Sequence, residues 1–135
     1  MSAFIVRDDR ILLGRRALEP CAGCWETPGG YVNQGEQPRD AIRREVQEEL
    51  GLEVVVLSLY DVFVHEWAPG LWVQNTVFIC EPNDSVVAVL PDGEETVDAK
   101  WFPLAQLPAD MALGQRDRII AWDAEGSRDR GANTP

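Results

Sequence analysis

Residues 29–52 read GGYVNQGEQPRDAIRREVQEELGL, and their spacing predicts a glycine turn, a polar loop and one short helix. Proline suits the first turn of a helix, where an N–H would have no partner, so Pro38 marks the start. Glycine tolerates the left-handed backbone that closes helices, so Gly51 marks the stop. At about 100° per residue, Glu45, Glu48 and Glu49 share one wedge of this helix. Ile42, Val46 and Leu50 fill the neighbouring wedge, and Asp40, Arg44 and Gln47 the remaining side. The helix has an apolar face to dock and, beside it, a crowded acidic one.

On a fully solvated helix, like charges four residues apart cost only ~0.2–0.5 kcal/mol. Turned into a cleft, two unit charges ~4 Å apart repel by ~4 kcal/mol at an effective dielectric of roughly 20. Taken alone, a Glu-rich helix is most simply a solvated one. The alternative is a site for hard divalent cations, which favour carboxylate and carbonyl oxygens.

The surrounding residues weigh for the second. Gly30, five residues, Glu36, seven residues, Arg44-Glu45-Val46, one residue, Glu48-Glu49, one residue, Gly51-Leu52 resembles the Nudix box of the Nudix hydrolases. Each fixed residue recurs by chance about once in fifteen, so its seven fixed positions coincide roughly once in a hundred million. Trp25-Glu26-Thr27-Pro28-Gly29 and Trp101-Phe102-Pro103-Leu104 also resemble that family. The resemblance implies an α/β protein of the Nudix fold, an α/β/α sandwich with a mixed β-sheet. It further implies that Glu45, Glu48 and Glu49 bind one or more Mg2+ ions, with Mn2+ as substitute. The Gly29 carbonyl would be another ligand, and Glu36 would support the site or an outer metal. Arg44 stands four residues before Glu48 and is expected to orient a ligand carboxylate. The general base would be a carboxylate: Glu48 in the box, or Glu95, six residues before Trp101, with Glu94 its rival.

Composition limits the partners. A chain of 135 residues, 45% hydrophobic and 26% charged, suits one globular domain with a real core. That domain is assigned to residues 1–123, and the polar, glycine-bearing stretch 124–135 is read as a flexible tail. The net charge of -11 argues against a nucleic-acid groove or an anionic membrane as partner. No apolar run approaches the ~18–20 residues of a membrane span and no signal peptide is evident, so a cytoplasmic location is expected. Three cysteines make a disulfide framework improbable, and Cys21 and Cys24 read as two small loop residues. His65 is the only histidine, which leaves a zinc site short of ligands and gives acid–base work to carboxylates.

The remaining elements follow from alternation and turn chemistry. Strands are expected at 4–7 and 11–16, joined over Asp8-Asp9, and at 25–27. A long hairpin over 53–67 and 71–80 turns at Pro69-Gly70, with further strands at 86–90 and 96–102. A last helix is expected over 109–122, with Met111, Ile119, Ile120 and Trp122 as apolar contacts.

Substrate binding is the thinnest expectation. Arg15 and Arg16 are candidates to reach a phosphate. Trp25, Trp67 and Trp72 are candidates to stack on a purine, each worth ~1–3 kcal/mol in doing so. Pro69 lies 17 residues beyond Leu52, near a position where a proline accompanies ADP-ribose hydrolysis in part of the family. The reading is a Mg2+-dependent pyrophosphohydrolase acting on a small nucleotide, a nucleoside diphosphate linked to another moiety, with ADP-ribose or a nucleotide sugar favoured. The alternatives are a sanitising (d)NTP pyrophosphohydrolase and a non-catalytic nucleotide-binding regulatory module. The resemblance also implies a homodimer.

Overall fold

The computed structural model describes residues 1–84, 88–112 and 114–132, the side chains of 127–132 excepted. Strand β1 (Ser2–Arg7) turns into β2 (Arg10–Arg16) with Arg7 opposite Arg10. Asp8 and Asp9 both take positive φ, 51° and 60°, as a two-residue turn matched to strand twist requires. The acidic turn does the work usually given to Asn-Gly. Strand β3 is only Trp25–Glu26 and lies against β2.

Helix α1 spans Pro38–Leu50, between the two signals that predicted it. Gly51 is left-handed at φ 61° and returns its N–H to the Gln47 carbonyl. Strands β4 (Val54–Ala68) and β5 (Leu71–Pro82) form the long hairpin, with Ala68 opposite Leu71 across Pro69-Gly70. Strand β6 (Thr96–Pro103) runs antiparallel to β2 and ends in a single 3₁₀ turn, Leu104–Gln106.

The sheet order is β3-β2-β1-β5-β4, with β6 also on β2. The β1–β5 pairing is parallel and the others antiparallel, so the sheet is mixed. Strand alternation divides the core in two. Ala3, Ile5, Leu12, Phe78 and Cys80 face Ile42, Val46 and Leu50 of α1. Phe4, Ile11, Leu13, Val77 and Ile79 face the other way, toward Ile119 and Trp122 of the last helix, α2. The result is the expected α/β/α sandwich.

Three boundaries differ from expectation. Helix α2 spans Gln115–Ala132 rather than 109–122. Residues 110–112 instead lie along β3: Trp25 N–H donates to the Asp110 carbonyl and Ala112 N–H to the Trp25 carbonyl, both at 2.9 Å. A distant backbone partner there outweighs local helix propensity. Downstream, the helix continues through 124–132, against the tail expected there; extending a formed helix costs far less than starting one. Residues 133–135 lie outside the described residues. Of the strand expected at 86–90, residues 88–90 are not in a strand, and 85–87 lie outside the described residues. Among the described residues no helix is long and apolar enough to cross a membrane.

Candidate active site

The three box glutamates share a helix face but not an environment. Glu49 is buried at 6% exposure, Glu45 is half-buried, and the Glu48 side chain is 58% exposed. Burial pushes the Glu49 carboxyl up to about 9, with the charges of Glu26 and Glu45 adding to it and the Gly29 N–H opposing it. Burial also raises Glu45 and Glu26, against the pull of Arg44 on the first and of Arg16 on the second. The charge of Glu95 is felt at all three. Four acids from β3, α1 and the segment before β6 thus converge electrostatically. Glu26 is one that sequence reasoning missed, though it stands inside the quoted Trp25–Gly29 motif.

Arg44 holds the outer side together. It donates to both oxygens of Glu36 (2.8 and 3.0 Å), to Glu45 (3.0 Å), to Glu48 (3.1 Å) and to the Tyr31 carbonyl (3.1 Å). The expected i,i+4 contact is present, as one of several. Glu36 also accepts the Asn33 N–H, and its carboxyl is held below the usual range chiefly by Arg44. A planar guanidinium suits such a fan of acceptors.

The glycines make room for the acids. A Cβ on Gly30 would stand 2.5–2.6 Å from the Glu45 carboxyl atoms. A Cβ on Gly29 would collide with the Met1 carbonyl, because Gly29 bridges to Ser2 at the start of β1. Position 29 admits no side chain, and one at position 30 would have to displace the Glu45 carboxyl.

The basic and aromatic candidates separate. Arg16 ion-pairs with Glu26 at 2.7 Å, donates to the Pro20 carbonyl and lies 4.9 Å over the ring of Trp67. Arg16 and Trp67 therefore border the acid group. Arg15 is exposed, donates to the Gly23 carbonyl and stands 5.6 Å over Trp25. Trp72 lies near the β4–β5 turn with 62% of its surface exposed. Pro69 occupies that turn.

On the face of the sheet toward α2 opens a cleft of about 270 Å³, lined by residues including Thr27, Phe63, His65, Asn75, Gln115 and Arg118. Thr27 directly follows Glu26 in the chain. Ser2 and Asn75 bond each other at the cleft floor. The Gln115 Oε1 accepts both the Thr27 N–H (2.7 Å) and its hydroxyl (3.2 Å). That N–H can only donate, which fixes the amide oxygen toward Thr27 and leaves the amide nitrogen as the available donor. Arg118 stacks 3.7 Å from the Phe63 ring centre. Apart from Thr27, inside the Trp25–Gly29 motif, none of these lining residues carried a motif; a polar Asn75 in an apolar strand was the one further signal that could have found them.

Among the described residues no three His, Cys, Asp or Glu side chains form a ready-made metal cage. Arg44 holds Glu36, Glu45 and Glu48, and Glu49 is turned inward. The donor chemistry nevertheless fits a hard divalent cation. It offers carboxylate oxygens, one of them buried at a cost in ionisation that a bound cation would relieve.

A NUDIX domain model matches residues 1–123. An ADP-ribose pyrophosphatase of Methanocaldococcus jannaschii is 36% identical over 80% of this chain and 63% of its own. An 8-oxo-dGDP phosphatase of Homo sapiens is 31% identical over 82% of this chain and 33% of its own. The chain thus spans between a third and two-thirds of the length of these relatives. The crystal structure of an ADP-ribose pyrophosphatase from Streptococcus suis superposes with a TM-score of 0.74 at 29% identity, covering 94% of this chain and 89% of that one.

Proposed function

The chain belongs to the Nudix family, and from that premise we propose that it is a divalent-cation-dependent hydrolase of phosphoric anhydride bonds. Its substrate is a nucleoside diphosphate linked to another moiety, ADP-ribose or a nucleotide sugar foremost. The observation that carries this reading is the buried Glu49 gathered with Glu26, Glu45 and Glu95, acids whose burial and mutual repulsion a bound cation would relieve.

Glu45, Glu48, Glu49 and the Gly29 carbonyl would hold the cation, Mg2+ or Mn2+, with Glu36 in support. Once bound, the cation neutralises the diphosphate and polarises phosphorus. Everything else falls to the chain's own groups. Arg44 orients the carboxylates of Glu45 and Glu48. Arg16, already balanced by Glu26, borders the phosphate path with Trp67. The proton of the attacking water goes to Glu95, which is exposed at the edge of the acid group; Glu48, with an oxygen bonded to Arg44, is the rival. The cleft takes the nucleoside, with the Gln115 amide as donor to it.

The test is product analysis in Mg2+ across ADP-ribose, nucleotide sugars, dinucleotides and (d)NTPs. ADP-ribose is expected to yield AMP and ribose phosphate. Tight nucleotide binding with no hydrolysis of any of these would overturn the reading. A second reading, hydrolysis of nucleoside di- or triphosphates, is favoured by the 8-oxo-dGDP phosphatase relative; release of NMP from a (d)NTP at higher kcat/KM than from ADP-ribose would select it. A cytoplasmic location and a homodimer complete the proposal.

A further inference from the structure

We propose that Asp92 is a positioning residue that fixes the Glu95 loop onto the C-terminal end of α1. The inference rests on the reading of Glu95 as the proton acceptor. One oxygen of Asp92, Oδ1, accepts three successive backbone N–H groups: Glu94 at 3.0 Å, Glu95 at 3.1 Å and Thr96 at 2.9 Å. The backbone of the same loop is tied to α1. Asp92 N–H donates to the Glu49 carbonyl at 3.0 Å, and Leu90 N–H to the Leu50 carbonyl at 2.8 Å. These are end-of-helix carbonyls, which lack partners within the helix. Glu95 is fixed from its other side too, since its carbonyl accepts the Ala17 N–H at 2.9 Å. Thr96, the next residue, is buried with its methyl against Gly14.

The placement of Asp92 is otherwise a poor one. A carboxylate beside the C-terminal carbonyls of a helix opposes the helix dipole. In a chain of net charge -11, it also adds a negative group close to an acidic cluster. Three charge-assisted hydrogen bonds offset that, and they do so by gathering the amides on both sides of Glu95 around one atom. Gly93 permits the turn, at φ 79°, and returns its N–H to the Thr96 carbonyl. Asp92 thus links the backbone of Glu49 to the backbone of Glu95, two residues whose side chains share the acid group. An exposed loop acid becomes the hinge pin between the helix and the proton acceptor.

The experiment is a double-mutant cycle on the full chain, with kcat and KM measured for the best substrate in Mg2+. Displacing a catalytic group by about an ångström costs about 10²-fold. Asp92→Ala is therefore expected to lower kcat about 100-fold with KM within about threefold. Asp92→Asn, whose amide oxygen still accepts N–H groups, is expected to recover most of the loss. In a Glu95→Gln background, Asp92→Ala is expected to cost less than about threefold, because the group it positions is already disabled. The proposal is overturned if Asp92→Ala costs the same with and without the Glu95 carboxylate, if it raises KM alone, or if kcat is unchanged. Should Asp92→Ala not fold, the same cycle is run with Asp92→Ser, whose hydroxyl still accepts and whose loss should be intermediate. Wild-type turnover by Glu95→Gln itself would sink the proton-acceptor reading and this inference with it. An impaired Glu95→Gln combined with full additivity would sink the inference alone.

Discussion

The acid group and the cleft are built by opposite means. At the acid group, charges of one sign are concentrated along one short helix and its neighbours, and burial leaves Glu49 protonated at neutral pH. In the cleft, neutral polar groups from separate segments satisfy one another: Ser2 with Asn75, Thr27 with Gln115. The first region, on the proposed function, is completed by cations, and the second offers the Gln115 amide nitrogen as a donor. The proposed function places chemistry on one side and choice of substrate on the other.

The largest expected effect strikes the acid side. Glu48→Gln should lower kcat by about 10²–10⁴-fold on every substrate, the range of a lost catalytic carboxylate, with the fold unchanged by circular dichroism. Gly30→Ala should also reduce turnover on all substrates, because its methyl would displace the Glu45 carboxyl. Uniform loss across substrates is the signature; loss on one substrate only would erase the distinction between the two regions.

A smaller effect belongs to the cleft. Gln115→Leu removes the donor and leaves the Thr27 N–H without its acceptor, a change worth about 1–3 kcal/mol. It should lower kcat/KM by about 10–100-fold, mostly through KM, and unequally between nucleotides, read by parallel kinetics on two bases. An equal fall in kcat for all bases would move Gln115 to the chemical side.

The smallest effect appears without catalysis. The Glu49 carboxyl lies at about 9 in the folded chain, against roughly 4.3 for a free glutamate. A raised folded value means that stability is fully present below about pH 4.3 and is lost as pH rises toward 9. Metal-free protein should therefore melt at a lower temperature at pH 8.5 than at pH 6.5. Glu49→Gln should flatten that difference while giving up stabilisation by added Mg2+. A pH dependence unchanged in the variant would place the burden on another group.

The same contrast explains what could be read from the chain beforehand. The acid side is local: Pro38, Gly51 and a 3.6-residue period on one helix were enough to mark its start, stop and faces. Even there, the helix period could not tell buried Glu49 from exposed Glu48, because the segments that cover one and not the other come from elsewhere. The hairpin at Asp8-Asp9 was legible for the same local reason. The cleft was not, since the role of Gln115 depends on Thr27, 88 residues away. The late start of α2 was hidden likewise, set by Trp25 pairing with residues 110–112.

The central claim is that the acid group is a cation site. Its most direct test is titration of metal-free protein with Mn2+, followed by the loss of the free-ion paramagnetic resonance signal. Wild type and Gln115→Leu should bind with the same affinity, and Glu49→Gln and Glu45→Gln should each bind at least about tenfold more weakly. Equal Mn2+ affinity in wild type and both glutamate variants would contradict it.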